Sequence, residues 1–404
     1  MRVGIWVTWA VLLWPASAAA QALAPEALGV DVPIEDPSGR ALAKLRSALR
    51  RARRGEGRAR LLFYGASHTS SDQYTGYLRR RLQARFGNAG LGFVLPVQPF
   101  AYYAHRGVHI ENGTGWQTLR VRGRERAPDA YGVSGVALTT DIRTWAAVEP
   151  VAHDGPESLV ARFEIFFLSQ PGGGHMELRV DGQPARRVAT ASRHRRPSHV
   201  TLELVEEGFH RLEIRTEGDG SVRLFGVNME GSAPGVIVDS MGIPGSRAFD
   251  QLPWNADVQT EYLRRLAPDL IVLAYGTNES ALPNLSSERY GAELRQVIER
   301  VRRAVPEASC LLVGPSEWSV ATDDGWAPRE SIGRTTETQR RTAAVMGCGF
   351  FDLIAFQGGP GSMHAWVTSE PPMALGDHVH YTAHGHRRLA EALEHALLGN
   401  RVAR

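Results

Sequence analysis

Cysteine is scarce in this chain, and so is charge of one sign. Two cysteines among 404 residues, Cys310 and Cys348, exclude a disulfide-dense scaffold and a thiolate metal cluster. Both open apolar, strand-like runs, Cys310 to Val313 and Cys348 to Leu353, which would be neighbours in a parallel sheet. Spacing alone leaves a disulfide and two buried thiols equally open. The 46 basic and 43 acidic residues leave a formal charge of +3, too balanced to argue for nucleic acid. The basic run Arg50 to Arg54 reads as the solvated face of a helix over Ala41 to Arg53, with Leu45, Ala48 and Leu49 on its apolar side. His378, His380, His384 and His386 lack thiolate or acidic partners at ligand spacing, so no metal and no other cofactor is expected. No internal repeat occurs, which excludes a solenoid.

Long apolar runs are also missing beyond the N-terminus, where nothing approaches the roughly 18 to 20 residues that a membrane span needs. The N-terminal run, Val3 to Trp14, follows Arg2 and precedes Ala16-Ser17-Ala18-Ala19-Ala20. That pattern reads as a cleavable secretory signal over residues 1–20. No cysteine stands at the cleavage point to argue for a lipoprotein. The mature protein is expected to be soluble, exported to a periplasm and without a stable membrane anchor.

A chain this long exceeds the roughly 250 to 300 residues at which one core stops growing, so two domains are expected. Residues 21–99 hold an extended lead-in, a strand and a helix (Gln73 to Phe86). Over residues 100–231 the pattern changes to short alternating runs, such as Leu159 to Phe167, Met176 to Val180 and Val222 to Val227, parted by turns such as Asp181-Gly182 and Gly218-Asp219-Gly220. That is the rhythm of an inserted antiparallel β-sandwich. Residues 232–404 return to strands alternating with helices, hence a parallel sheet flanked by helices, with its site beyond the carboxyl ends of the strands.

Chemistry gathers at those ends. Asp377 stands three residues ahead of His380, just before the apolar-periodic stretch Arg387 to Leu398. An acid there can hold one imidazole nitrogen while the other faces a cleft, the orienter and base of a serine triad. The matching nucleophile is Ser67, where the apolar run Leu61 to Tyr64 enters Gly65-Ala66-Ser67-His68-Thr69. Gly242-Ile243-Pro244-Gly245-Ser246 and Gly276-Thr277-Asn278-Glu279 each follow another apolar run. They offer a glycine that allows close approach and an amide that can donate to an oxyanion.

These blocks resemble the SGNH (GDSL-type) hydrolases. Together with Gly87 to Val94, Arg126 to Gly135 and Gly358 to Met363, they are similar to the periplasmic peptidoglycan O-acetylesterases of that superfamily, which carry a carbohydrate-binding-module-like domain between the first two blocks. The resemblance implies Ser67, Asp377 and His380 as catalytic residues, and Ser67, Gly245 and Asn278 as the oxyanion hole. It also implies a loop near the site in which Met363 and Trp366 would meet a sugar. The family usually has Gly-Asp-Ser, and Ala66 replaces that Asp here. The reaction implied is removal of acetyl groups from a cell-wall glycan, peptidoglycan first, with no cofactor. The alternatives are an O-acetyltransferase using the same site, or a non-catalytic glycan-binding protein, for which Ala66 and the large insertion argue.

Overall fold

A computed structural model describes residues 28–122, 131–151 and 159–402. The secretory signal expected over 1–20 lies outside the described residues, as does part of the Arg126 to Gly135 block. Five parallel strands form the central sheet, in the order Gly235–Gly242, Arg58–Gly65, Leu270–Ala274, Ser309–Val313, Gly349–Phe351. Their near-continuous apolar character follows from burial on both faces. Alternate side chains point to opposite layers. Leu61 and Phe63 pack with Leu45, Leu78, Leu82 and Leu393, on the helices Ala43–Arg53, Gln73–Phe86 and Ala383–Val402. Leu62 and Tyr64 pack with Tyr262, Leu263, Leu294 and Ile298, on Ala256–Leu266 and Ser287–Ala304. Side-chain caps start the latter two helices: Asn255 accepts from the Val258 N–H at 3.0 Å and Ser286 from Arg289 at 3.2 Å. Cys310 and Cys348 form a disulfide, joining the strand Ser309–Val313 to the entry of its neighbour Gly349–Phe351.

Two antiparallel sheets make the second domain. One runs Arg196–Gly208, Val160–Ser169, Val222–Glu230, Val136–Thr140, Gln117–Arg120, and the other Val108–Asn112, Trp145–Pro150, Leu212–Thr216, His175–Val180, Gln183–Ala189. The alternation in the sequence misses Val108–Asn112 and Gln183–Ala189, the two edges of the second sheet, and also Trp145–Pro150, which lies inside it. Edge strands bury little, and their apolar period is correspondingly weak. Gly90–Val94 also belongs to the antiparallel system, pairing with Val222–Glu230.

The two cores meet. Tyr262 stacks on Phe166 with centroids 4.8 Å apart, its hydroxyl reaches the Phe167 carbonyl at 2.7 Å, and it accepts from the Ser198 N–H at 3.0 Å. Beneath this junction the buried Arg60 guanidinium donates to Asp239 at 2.7 Å and to Glu230 at 2.8 Å. The second domain is therefore fastened along the sheet that ends in the candidate site. Among the described residues no helix is long and apolar enough to cross a membrane.

Candidate active site

The strand Arg58–Gly65 ends in a turn that sets Ser67 at the start of the single helical turn Ser67–Ser70. This turn rests on the neighbouring strand's end, where a Cβ on Gly242 would lie 2.2 Å from the Ser70 nitrogen. Only glycine permits that contact. The backbone N–H groups at a helical start are free to face an anion.

His380 reaches this turn from the loop ahead of the last helix. Its Nε2 lies 2.9 Å from Ser67 Oγ, and its Nδ1 lies 2.7 Å from Asp377 Oδ2. A carboxylate oxygen accepts, so Nδ1 carries the proton and Nε2 presents its lone pair to the serine hydroxyl. Asp377 Oδ1 accepts from the N–H groups of Val379 and His380, both at 3.0 Å. Burial pushes the Asp377 carboxyl up, but those N–H groups and the imidazole outweigh it and hold the carboxyl below its usual range. Thr382, just ahead of the last helix, accepts from the Gly385 N–H at 3.3 Å. His378 turns away, at φ 56°, to stack on Trp326 at 3.5 Å and to meet His364 Nδ1 at 3.0 Å.

Asn278 stands in the short helix Thr277–Ser280, and its amide donates to the Ser246 carbonyl at 3.0 Å. Ser67 and Asn278 line one cavity of about 30 Å³ with Ala66, His68, Thr277 and Leu353. Gly245, at φ 71°, directly precedes the Ser246 whose carbonyl takes the Asn278 amide. Glu279 ties these loops together by accepting from the Ala248 N–H at 2.8 Å and the Gly276 N–H at 2.9 Å. Burial lifts its carboxyl to about 7 against the pull of those donors.

The structure thus joins Ser67, His380 and Asp377 in one hydrogen-bonded chain, with Asn278 lining a cavity together with Ser67 and bonded to the residue after Gly245. Met363 and Trp366 require correction. Both side chains are fully buried: Trp366 donates to the Gln357 carbonyl at 2.8 Å and packs on Phe356 and Tyr381, so neither can meet a sugar. Sequence reasoning also passed over the roles of His68, Glu279 and Arg122, which rest on three-dimensional contacts. Among the described residues, His175, Glu217 and Asp219 bring potential metal-ligating atoms within 4.8 Å of one another. Both Glu217 oxygens are already taken by Arg187, at 2.6 and 2.7 Å.

Residues 216–388 match the GDSL-like lipase/acylhydrolase family. Over these residues the chain carries a domain similar to that family of acylhydrolases. Its fold is similar to that of a structure described as a peptidoglycan O-acetylesterase in action, at 24% identity and a TM-score of 0.74, covering 90% of this chain and 99% of that one. More distant likenesses include a family two carbohydrate esterase from Clostridium thermocellum, at 12% identity and a TM-score of 0.30, over 72% of this chain and 99% of that one. Another is the acetylxylan esterase Axe2 from Geobacillus stearothermophilus, at 22% identity and a TM-score of 0.31, over 41% of this chain and 73% of that one. No curated protein matches the sequence.

Proposed function

We propose that this protein is an exported serine acetylesterase that removes O-acetyl groups from a cell-wall polysaccharide, peptidoglycan in particular. The observation that carries this reading is the chain from Asp377 through His380 to Ser67, with both links under 3 Å. His380 Nε2 takes the Ser67 proton as Oγ bonds to the acetyl carbon. The developing oxyanion is met by the N–H groups of Ser67 and Gly245 and by the Asn278 amide. His380 then passes its proton to the sugar oxygen as the ester C–O bond breaks, leaving an acetyl-enzyme. Water, deprotonated by the same imidazole, attacks that acetyl group, and acetate and free serine result.

The similarity in fold to a peptidoglycan O-acetylesterase favours that glycan. Ala66 leaves the mechanism intact, because Asp377 supplies the acid of the triad. The antiparallel domain holds the polymer, and residues 1–20 direct export to the periplasm. The test is acetate release from O-acetylated peptidoglycan by the purified protein. Release that disappears in Ser67→Ala supports the reading, and equal release by both proteins refutes it.

A further inference from the structure

The antiparallel domain contributes an arginine to the rim of the site. Its segment around residues 131–135 lies on the catalytic domain: Val133 accepts from the Tyr64 hydroxyl at 2.9 Å, and a Cβ on Gly135 would meet the Trp254 ring at 2.3 Å. Val121 is held to this segment through the Gly135 carbonyl at 3.1 Å. From the next residue, Arg122 reaches over Gly245. One of its terminal nitrogens lies 1.4 Å from where a Gly245 Cβ would be, so any side chain at 245 would displace the guanidinium.

Among the described residues, cations outnumber anions at this corner. Loss of solvation, then Arg247 and Arg120, pull the Arg122 pKa below its usual value, and Asp250 opposes them. Asp250 is itself engaged, accepting from the Arg247 backbone N–H at 2.9 Å. Arg247 follows Ser246, the residue whose carbonyl takes the Asn278 amide. Its Nε is buried without a partner among the described residues, and its guanidinium lies over Phe249 at 5.7 Å. Cations that repel one another at the mouth of a site are relieved by an anion, and the planar guanidinium fork fits a carboxylate with two parallel N–H donors.

We propose that Arg122, assisted by Arg247, is a specificity-determining residue that receives a carboxylate of the substrate next to the acetyl ester, so that the site selects acidic acetylated glycans over neutral ones. The inference rests on the acetylesterase reading and adds the charge of the substrate to it. A charge-assisted contact of this kind changes kcat/KM on the order of tenfold.

The test pairs two polymers with two proteins. The polymers are O-acetylated peptidoglycan, intact or with its carboxylates amidated by carbodiimide and glycinamide. Wild type should release acetate from the intact polymer about tenfold faster at limiting substrate, and Arg122→Gln should lose that preference. Arg122→Lys, which keeps the charge and loses the fork, should retain part of it. An indifferent wild type, or an unchanged preference in Arg122→Gln, overturns the proposal. Co-sedimentation of the Ser67→Ala protein, with and without Arg122→Gln, on the same two polymers reads the contact without turnover. Absence of acetate release together with carboxylate-dependent, Arg122-dependent sedimentation would fail the esterase reading alone.

Discussion

His68 Nε2 lies 3.1 Å from the carbonyl oxygen of Val379, so the residue after Ser67 holds the backbone one residue ahead of His380. A carbonyl only accepts, so Nε2 carries the proton. Loss of solvation and the neighbouring His380 push the His68 pKa down to about 3, which keeps the ring neutral. The two arms of the site are therefore joined twice, once by the proposed reacting pair and once by this neutral brace.

The brace predicts a positioning phenotype. His68→Ala removes the shorter of two contacts to the Val379 carbonyl, leaving the Ser316 hydroxyl at 3.3 Å, and lets His380 drift from Ser67, and sub-ångström placement matters for proton transfer. Turnover of an aryl acetate should fall on the order of 10- to 100-fold with KM nearly unchanged, and His68→Gln, which keeps a donor, should recover part of the loss. Steady-state kinetics on the three proteins decide it. Full activity in His68→Ala would show that the loop holds itself.

The two loop histidines should separate cleanly. His380 touches both Ser67 and Asp377, whereas His378 stacks on Trp326 and meets His364. His380→Ala should remove esterase turnover as thoroughly as Ser67→Ala, while His378→Ala should lower thermal stability and spare most of the rate. Aryl acetate assays beside thermal melts of the same proteins would expose a wrong choice of base if the two phenotypes were exchanged.

The parallel sheet and the Ser67, His380 and Asp377 chain were legible because both rest on local signals. Buried parallel strands read as apolar runs, and an acid three residues before a histidine can turn back on it within one loop. Trp366 misled for the opposite reason. Its sequence neighbours Gly358 to Met363 suggest an open loop, but whether an indole faces solvent or core depends on Phe356 and Tyr381, which pack on it. Arg122 was illegible because no sequence motif marks it, and only the packing of the antiparallel domain on the parallel sheet brings it over Gly245. The disulfide lay between these cases: the sequence brought Cys310 and Cys348 to adjacent strands, and their bonding became visible only in the structure.

Buried neutral histidines should make the fold acid-sensitive. Loss of solvation holds His68 at about 3 and His105 at about 4, and places His386 well below its usual value. Asp72 lies 3.9 Å from His105 but is engaged by Arg79 at 2.9 Å. The unfolded chain protonates these rings near pH 6.5, so below that pH it binds more protons than the native state. This stability is therefore fully present above about pH 6.5 and is lost on acidification, by up to about 1.4 kcal/mol per pH unit for each ring until its folded pKa is reached. Urea unfolding at about pH 7.5 and about pH 5 should show the drop, and His105→Gln should make it shallower. Equal stability at the two values would contradict the neutral assignment.

The disulfide should stabilise the edge of the parallel sheet. Cys310 and Cys348 are separated by 38 positions, and closing a loop of that length in the unfolded chain corresponds to about 3 to 4 kcal/mol. The double variant Cys310→Ala, Cys348→Ala should unfold at lower denaturant by that amount while keeping the Ser67 site, which lies on other strands. A loss below about 1 kcal/mol would mean that the strand pairing alone holds this edge.

The oxyanion assignment predicts a graded effect. Asn278 lines the same cavity as Ser67, and in the free protein its amide donates to the Ser246 carbonyl at 3.0 Å. Asn278→Ala removes one of three proposed donors while the nucleophile, base and acid remain, so kcat should fall on the order of 10² to 10³ rather than vanish. KM should change little, because the amide strengthens its contact as the carbonyl oxygen becomes negative, and an interaction confined to the transition state appears in the rate. Its bond to Ser246 also helps set the loop that carries Gly245. Asn278→Asp keeps the volume and loses the donor, so it should be at least as slow as Asn278→Ala, with an added charge opposing the oxyanion. Near-normal turnover in either variant would remove Asn278 from the site and leave the oxyanion to the backbone of Ser67 and Gly245.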